Sequence, residues 1–114
     1  MTHGGTTMDG KSFQILAALA AEPRHGYAIR QEVESRTDGR IRLWPATLYG
    51  TLADLSERGW IIEVPSPVGA GDDPRRRYYA LTQDGRQALT DEAERLETLA
   101  GLARERLAAG EARS

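Results

Sequence analysis

Two short segments carry side chains suited to binding a charged partner without reacting with it. The first is a run of three arginines, whose guanidinium groups each donate several hydrogen bonds to anionic oxygens: Arg75, Arg76 and Arg77. The second is the segment WPATLYG and the residue after it, where small uncharged groups and hydroxyls occur at Thr47, Tyr49, Gly50 and Thr51. Both patterns favour binding over catalysis.

Two residue types that enzymes often use for catalysis, cysteine and histidine, are absent or scarce in this chain. It has no cysteine, so no thiolate site can form, and its only two histidines, His3 and His25, cannot make a closed zinc site alone. No glycine-rich phosphate loop and no histidine–carboxylate–hydroxyl set is recognisable. The sequence therefore predicts a protein that is not an enzyme and needs no cofactor. We expect His25 to bond to backbone at a helix start, the alternatives being a pH switch or a ligand.

The net charge of −2 hides an uneven distribution. Residues 1–82 carry ten basic and ten acidic side chains, whereas residues 83–114 carry five basic and seven acidic ones. The surplus of acid therefore lies in the C-terminal part. A local group of arginines can still bind a polyanion when the whole chain is slightly acidic.

Residues 44–61, WPATLYGTLADLSERGWI, predict one helix with an unusual outer face. Leu48, Leu52 and Leu55 recur at helical spacing and mark the side that is buried. An ordinary surface helix would carry lysine, arginine or glutamate on its other side, but the first two turns here are small and uncharged. Such a face lets a large partner approach closely.

The chain before this helix predicts two shorter helices. Residues 1–8 form a polar tail expected to be disordered, and a first helix begins at the N-cap Asp9 and ends near residue 21. Its apolar run is too short to span a membrane, and the composition suits the cytoplasm. A second helix covers about residues 25–39, and residues 40–44 alternate as in a small strand. Pro45 suits the first turn of the third helix and Gly59 suits its end.

After the third helix the apolar period changes to two. Residues 60–64 and 75–82 predict strands joined by the Pro/Gly/Asp-rich loop 65–74, which gives a hairpin. Residues 83–109 predict a long helix, and residues 110–114 a disordered tail. The fold class is therefore mainly α with a small β-hairpin: a winged helix-turn-helix domain over residues 9–82, followed by a long C-terminal dimerisation helix.

In a winged helix-turn-helix protein the third helix enters the major groove of double-stranded DNA, and the hairpin reaches the backbone. The small groups at 47–51 then allow contact with base edges. We expect the Tyr49 hydroxyl to bind a phosphate, the alternative being a ring packed on the hairpin. The three arginines at 75–77 would neutralise phosphates; for Arg77, the alternative is packing on the core edge.

Other candidates follow from position alone. Lys11 and Arg30, on the first and second helices, are lesser candidates for phosphate contact, against the alternative of plain surface charge. Trp44 and Trp60 flank the third helix and are expected to close the core, with ligand stacking by Trp44 as the alternative.

The last helix carries an apolar stripe with the spacing 4, 3, 4, 3, 4 of a coiled-coil seam: Leu89, Ala93, Leu96, Ala100, Ala103 and Leu107. Leu99 and Leu102 widen this stripe. On a monomer it would be a large exposed apolar patch. The stripe predicts a homodimer, the alternative being that the helix packs back on its own domain.

Several short motifs occur together in a characteristic order: His25-Gly26-Tyr27, Thr47-Leu48-Tyr49, Leu55 with Gly59 and Ile61, and Tyr78-Tyr79-Ala80-Leu81-Thr82 with Gly85. In this order they resemble PadR-type transcriptional regulators, over about residues 12–88. The single C-terminal helix is similar to that of the compact subfamily. The chain departs from many relatives at Gly50, where they have proline, and in lacking aromatic residues over 84–109, which argues against a sandwich for a flat aromatic ligand.

The resemblance implies a homodimeric repressor that binds an inverted-repeat operator in double-stranded DNA and is released by a small molecule or another signal. The effector is not specified by the sequence. The alternative function is a winged helix that docks on proteins, because Asp54 and Glu57 on the third helix would repel phosphates.

Overall fold

The chain folds into helices around a small antiparallel sheet, and the structure, a computed structural model, describes residues 8–67 and 76–113. Within those ranges the elements follow in the order α1 (Gly10–Leu19), β1 (Arg24–His25), α2 (Gly26–Arg36), α3 (Pro45–Glu57), β2 (Ile61–Val64), β3 (Tyr78–Leu81) and α4 (Gln83–Arg113). The expectations for residues 1–7, for most of the predicted hairpin loop and for Arg75 lie outside the described residues. Met8, which was included in the predicted tail, packs against the core.

The helix boundaries follow local signals. The Asp9 carboxylate accepts a hydrogen bond from the Ser12 amide at 2.8 Å, as expected of an N-cap. Pro45 is the first residue of α3. Gly59 has φ +81°, a left-handed conformation that glycine adopts without the steric cost of a Cβ. These three local predictions are confirmed.

The segment between α2 and α3 is not a strand, so the prediction for residues 40–44 is wrong. The Ile41 amide donates to the Thr37 hydroxyl at 3.1 Å, and the Leu43 amide donates to the Glu34 carboxylate at 3.1 Å. Because side chains of α2 and of the residue that follows it accept these amide protons, the segment needs no partner strand.

The sheet has three strands in the order β1-β3-β2, so β1 adds a third strand to the predicted hairpin. Ile61 pairs with Leu81 in the hairpin, and on the other side of β3 His25 pairs with Tyr78. A two-residue strand is too short to produce a period-two pattern, which is why the sequence did not predict it. Its position places the start of α2 beside β3.

One core joins the three short helices to the sheet. Its fully buried members come from α1, from α2, from the segment before α3 and from α3 itself: Ile15, Leu16, Leu19, Ile29, Val33, Leu43, Leu52 and Leu55. Trp60 closes this core as predicted, whereas Trp44 is 58% exposed. Leu43 and Trp44 are successive residues of an extended segment and point to opposite sides, so burying Leu43 turns Trp44 outward.

Helix α4 runs to Arg113, past the predicted end at residue 109. Gly110 does not end it, since a glycine inside a helix costs only about 1 kcal/mol relative to alanine. The first turns of α4 lie on the winged helix-turn-helix domain of residues 9–82, called the winged part below. Ala88 and Leu89 of these turns pack against its core. From residue 101 to residue 113 every side chain is exposed. None of the helices described here is both long enough and apolar enough to cross a membrane.

Candidate nucleic-acid interface

The start of α2, the start of α3 and the first part of β3 meet around one open cleft of about 610 Å³. Its lining residues are His25, Gly26, Tyr27, Tyr49, Arg76, Arg77 and Tyr79. Pairing between β1 and β3 creates this arrangement, because α2 begins directly after β1. Of the predicted DNA contacts, the cleft brings together Tyr49, Arg76 and Arg77.

Tyr49 lies directly over the first residue of α2. A Cβ at Gly26 would be 2.7 Å from the Tyr49 hydroxyl oxygen and 3.1 Å from the ring carbon that bears it. Only glycine therefore leaves room for the tyrosine in this position. The close approach brings the His-Gly-Tyr and Thr-Leu-Tyr motifs together in the structure. With the side chain half-exposed, the ring rests on α2 while its hydroxyl borders the cleft.

His25 caps α2, and its predicted bond to the backbone is confirmed. The Nδ1 atom accepts a hydrogen bond from the Ala28 amide at 3.2 Å. The imidazole also meets the Tyr78 ring edge to face, with centroids 5.3 Å apart. On its other side, Nε2 lies 2.9 Å from a terminal guanidinium nitrogen of Arg76. His25 therefore links the helix start, the sheet and the arginines.

The two described arginines of the run differ in their surroundings. Arg77 donates to the Glu63 carboxylate at 3.2 Å, and its side chain is 71% exposed, so it does not pack on the core edge. Arg76 instead reaches His25 across the cleft. Burial and the nearby Glu63 carboxylate raise the pKa of the Tyr79 hydroxyl, which therefore keeps its proton and can donate it.

The outer face of α3 is open and small, as the sequence predicts. A Cβ added at Gly50 would meet nothing within 4 Å. The Thr51 hydroxyl donates to the Thr47 carbonyl at 2.8 Å, so for another partner its oxygen can only accept. Further along, Asp54 pairs with Arg58 at 3.2 Å, which reduces the negative charge at that end of the helix.

Arg30 and Lys11 are not brought to the cleft. Arg30 donates to Glu34 at 3.1 Å, and its guanidinium lies 5.6 Å from the centroid of the Trp44 ring. Hydrogen bonds from the Leu43 amide and from Arg30 hold the pKa of the Glu34 carboxyl below its ordinary value. This group of residues fixes the segment that leads into α3.

Sequence reasoning missed four parts of this surface: the cleft positions of Tyr27, Tyr79 and His25, and the bridging role of Glu34. The tripeptide His-Gly-Tyr was the available signal for two of them. Tyr79 gave none, because its position depends on pairing with strands that are distant along the chain. Glu34 gave none, because its bond to the Leu43 amide depends on the conformation of the irregular segment before α3.

The C-terminal stripe divides into two parts. Leu89 packs on the core of its own chain, and Ala93 and Ala100 are half-buried. The leucines further along are 39–68% exposed: Leu96, Leu99, Leu102 and Leu107. Ala103 is exposed as well.

Between the two parts lies a buried carboxylate. Glu92 is only 6% exposed, and the hydrogen bonds that it accepts from Arg95 hold its pKa below the ordinary value. Glu92 therefore stays charged at this boundary and depends on Arg95 as its partner.

Three short helices followed by a strand pair define a winged helix-turn-helix protein, with α3 in the position of the recognition helix. The profile of the PadR-like family of transcriptional regulators matches residues 15–91, and the chain belongs to this family. Its members are regulators of transcription, in agreement with the prediction that the chain is not an enzyme. A 37.1 kDa protein in transposon TN4556 of Streptomyces fradiae is 38% identical over 87 residues. The alignment covers 76% of this chain but only 23% of that relative.

Solved structures share the fold. A PadR family transcription regulator from Clostridium difficile R20291 superposes with a TM-score of 0.72 at 21% identity, covering 87% of this chain and 99% of that one. Bacillus subtilis PadR, solved in complex with operator DNA, gives a TM-score of 0.60 at 23% identity and covers 72% of this chain and 45% of that one.

Proposed function

We propose that the chain binds double-stranded DNA as a homodimer and represses transcription from an inverted-repeat operator. The observation that carries this proposal is the convergence of Tyr49 from α3 with Arg76 and Arg77 from the hairpin at one cleft. The two elements that would contact a groove and its flanking backbone thus present their polar groups on the same side of the molecule.

The outer face of α3 has the properties that a major groove requires. Thr47 and Gly50 keep the beginning of the helix small, so that its backbone can come close to base edges. The arginines of the hairpin would neutralise phosphates beside the groove and fix the orientation of α3. Sequence would then be read from α3, and most of the salt-dependent affinity would come from the hairpin.

The exposed leucines of α4 support the proposed homodimer. Four large apolar side chains on one helix are an apolar surface that a second copy could cover. A symmetric dimer would place two copies of α3 about one helical turn of DNA apart, roughly 34 Å, and this spacing accounts for an inverted repeat.

Because the chain belongs to the PadR-like family, we also propose that a small molecule or another signal relieves repression. Because residues 84–109 contain no aromatic side chain, a flat ligand stacked between two C-terminal helices is not part of the proposal. A regulator that binds the chromosome would act in the cytoplasm.

The test begins with capture of genomic fragments by the purified full chain, followed by anisotropy with the best fragment at two salt concentrations. We expect a palindromic site bound at nanomolar concentration. Arg76→Ala/Arg77→Ala should lower the affinity strongly and make the slope of log K against log salt shallower by about 1.8, since each phosphate contributes about 0.9.

The matched control is Arg104→Ala/Arg106→Ala, which removes the same charge from the exposed end of α4. We expect its salt slope to equal that of the wild type. Equal slopes for both double variants would contradict the role of the hairpin. Failure of the wild type to bind any duplex would contradict the proposed function and favour a protein partner.

A further inference from the structure

We propose that Arg42 and Trp44 contact the sugar–phosphate backbone of the DNA duplex, on the flank of α3 that lies opposite the cleft. This inference rests on the proposed function and adds a second backbone contact to it. Both residues lie in the irregular segment between α2 and α3, and Trp44 is the N-cap residue of α3. We call these two residues the entry pair.

The side chains of the entry pair point outward. Leu43, which lies between them in the chain, is fully buried, so its two neighbours in this extended segment face the other side. Trp44 is more than half exposed, and Arg42 is exposed as well. Trp60, the other tryptophan of the chain, is buried. A single exposed aromatic residue is common on protein surfaces, so the surroundings of Trp44 decide its meaning.

The Trp44 ring is held in one orientation by its own chain. The guanidinium group of Arg30 lies 5.6 Å from the centre of the ring, within the range of a cation–π contact. The Glu34 carboxylate fixes Arg30 at 3.1 Å and also accepts the amide proton of Leu43, the residue before Trp44. Because the exposed ring is already ordered, a partner that covers it loses little side-chain entropy on binding.

The charge around the ring suits a polyanion. Residues 40–44 contain two arginines and no acidic residue. Arg42 extends over Gly39, where an added Cβ would lie 3.5 Å from a terminal guanidinium nitrogen. The carboxylate of Glu34, which lies near Arg42, is already bonded to other groups. Indole and guanidinium N–H groups both donate hydrogen bonds, so a backbone phosphate can accept from the entry pair while deoxyribose packs on the ring.

The position of the entry pair favours DNA over a protein partner. In a helix-turn-helix protein the first residues of the recognition helix reach the base edges, so the residue before them lies at the rim of the groove. Successive residues of a helix are about 100° apart, which places Thr47 and Tyr49 on opposite flanks of α3. An N-cap side chain lies beside the residue three positions further on, here Thr47. Tyr49 lines the cleft, so the cleft and the entry pair face the two strands that border one groove.

The experiment measures how accessible Trp44 is in the full-length protein before and after DNA binds. Tryptophan fluorescence is quenched with acrylamide, a neutral molecule, in the free protein and in its complex with the captured operator duplex. In the free protein we expect quenching of the exposed Trp44, since Trp60 is buried. In the complex this quenching should be lost, so that the wild type matches Trp44→Phe, in which only Trp60 emits.

Two substitutions test whether the contact contributes to affinity. Trp44→Ala should bind the operator and a random-sequence duplex about tenfold more weakly, because it truncates an aromatic anchor and a backbone contact carries no sequence information. Its salt slope should stay unchanged. Arg42→Ala should also weaken binding and make the slope shallower by about 0.9, the contribution of one phosphate. Arg104→Ala, at the exposed end of α4, is the control for the lost charge and should bind like the wild type.

The other outcomes separate this contact from the proposed function. If the wild type binds the duplex and Trp44 stays quenchable, the contact is wrong while the proposed function stands. Trp44 that is shielded in the free protein would be covered by a second copy, which also overturns the contact. Wild-type affinity in both variants, or a loss for the operator alone in Trp44→Ala, would contradict a contact with the backbone. If the wild type binds no duplex at all, the proposed function fails and the contact fails with it.

Discussion

The winged part of the chain buries most of its large apolar residues, whereas the part of α4 beyond Glu92 leaves its leucines exposed. In the winged part Ile15, Leu16 and Leu52 are fully buried within one chain. Beyond Glu92, in contrast, Leu99 is 46% exposed and Leu107 is 68% exposed. The first region covers most of its apolar residues within one chain, and the second has an apolar surface that suits another protein chain.

Within the winged part, the arginines fall into two groups. On the helices of the winged part, arginines pair with carboxylates, as in Arg30–Glu34 and Arg58–Asp54, and each such surface pair contributes at most about 1 kcal/mol. Arg76, at the cleft, contacts an imidazole instead. The arginine that faces His25 is thus better placed for DNA than those that already stabilise helices.

The largest effect should come from charging the apolar stripe of α4. In a homodimer, Leu96→Asp/Leu99→Asp should raise the dissociation constant at least ~1,000-fold, because each buried leucine contributes about 1.5–3 kcal/mol and aspartate adds a desolvation cost. Sedimentation velocity should then show a monomer with an unchanged winged part.

Thr98→Asp is the control for this double variant. It adds a negative charge to the same stretch of α4 at a polar, exposed position outside the stripe, so we expect the assembly to stay intact. If Leu96→Asp/Leu99→Asp sediments as the wild type does, the exposed leucines of α4 are not a dimer interface.

A second effect concerns the junction between the regions. A Cβ at Gly85 would lie 2.0 Å from the Trp60 carbonyl oxygen, a backbone atom that cannot move aside easily. Gly85→Ala should lower the free energy of unfolding by about 3 kcal/mol or more, at the upper end of overpacking. Urea denaturation at fixed protein concentration measures it.

Gly101→Ala provides the comparison on the same helix, since a Cβ there meets nothing within 4 Å. This change should stabilise α4 by up to about 1 kcal/mol through helix propensity. Equal stability of both glycine variants would show that α4 does not depend on its close approach to Trp60.

How far the sequence predicted this molecule depended on distance along the chain. The cap at Asp9 and the helix end at Gly59 were predicted because their signals lie within a few residues of their effects. The orientation of Trp44 was not, since it depends on Leu43 taking the place in the core. The contact of His25 with Arg76 joins residues 51 positions apart, which no local pattern could indicate.

A third, smaller effect should separate DNA binding from assembly. In Gly26→Ala the new methyl group meets the Tyr49 hydroxyl, the far end of a movable side chain, so the tyrosine should shift and the backbone should stay. We expect the affinity for duplex DNA to fall about fivefold, near 1 kcal/mol, through the displaced hydroxyl. The stability and the dimer should change little.

Gly10→Ala is the matched control, because Gly10 is the first residue of α1 as Gly26 is of α2, and its Cβ would meet nothing within 4 Å. Both variants are measured by anisotropy and by sedimentation. Wild-type affinity in Gly26→Ala would show that the position of Tyr49 does not matter for binding.

The smallest effect is the pH dependence of the stability that Glu34 gives to the winged part. The pKa of Glu34 is lowered in the folded chain, first by the hydrogen bond from the Leu43 amide and then by Arg30. A carboxyl with a lowered folded pKa stabilises the fold in full above its ordinary pKa of 4.5 and loses this contribution as the pH falls through the folded value. Glu34→Gln should therefore be slightly less stable than the wild type at pH 7, and the difference should disappear in acid.

Urea denaturation between pH 7 and pH 3 checks this, with Glu57→Gln as the control for the loss of one charge. A difference that persists at pH 3 would mean that the Glu34 side chain acts through packing, and that the segment before α3 is held without the charged hydrogen bond.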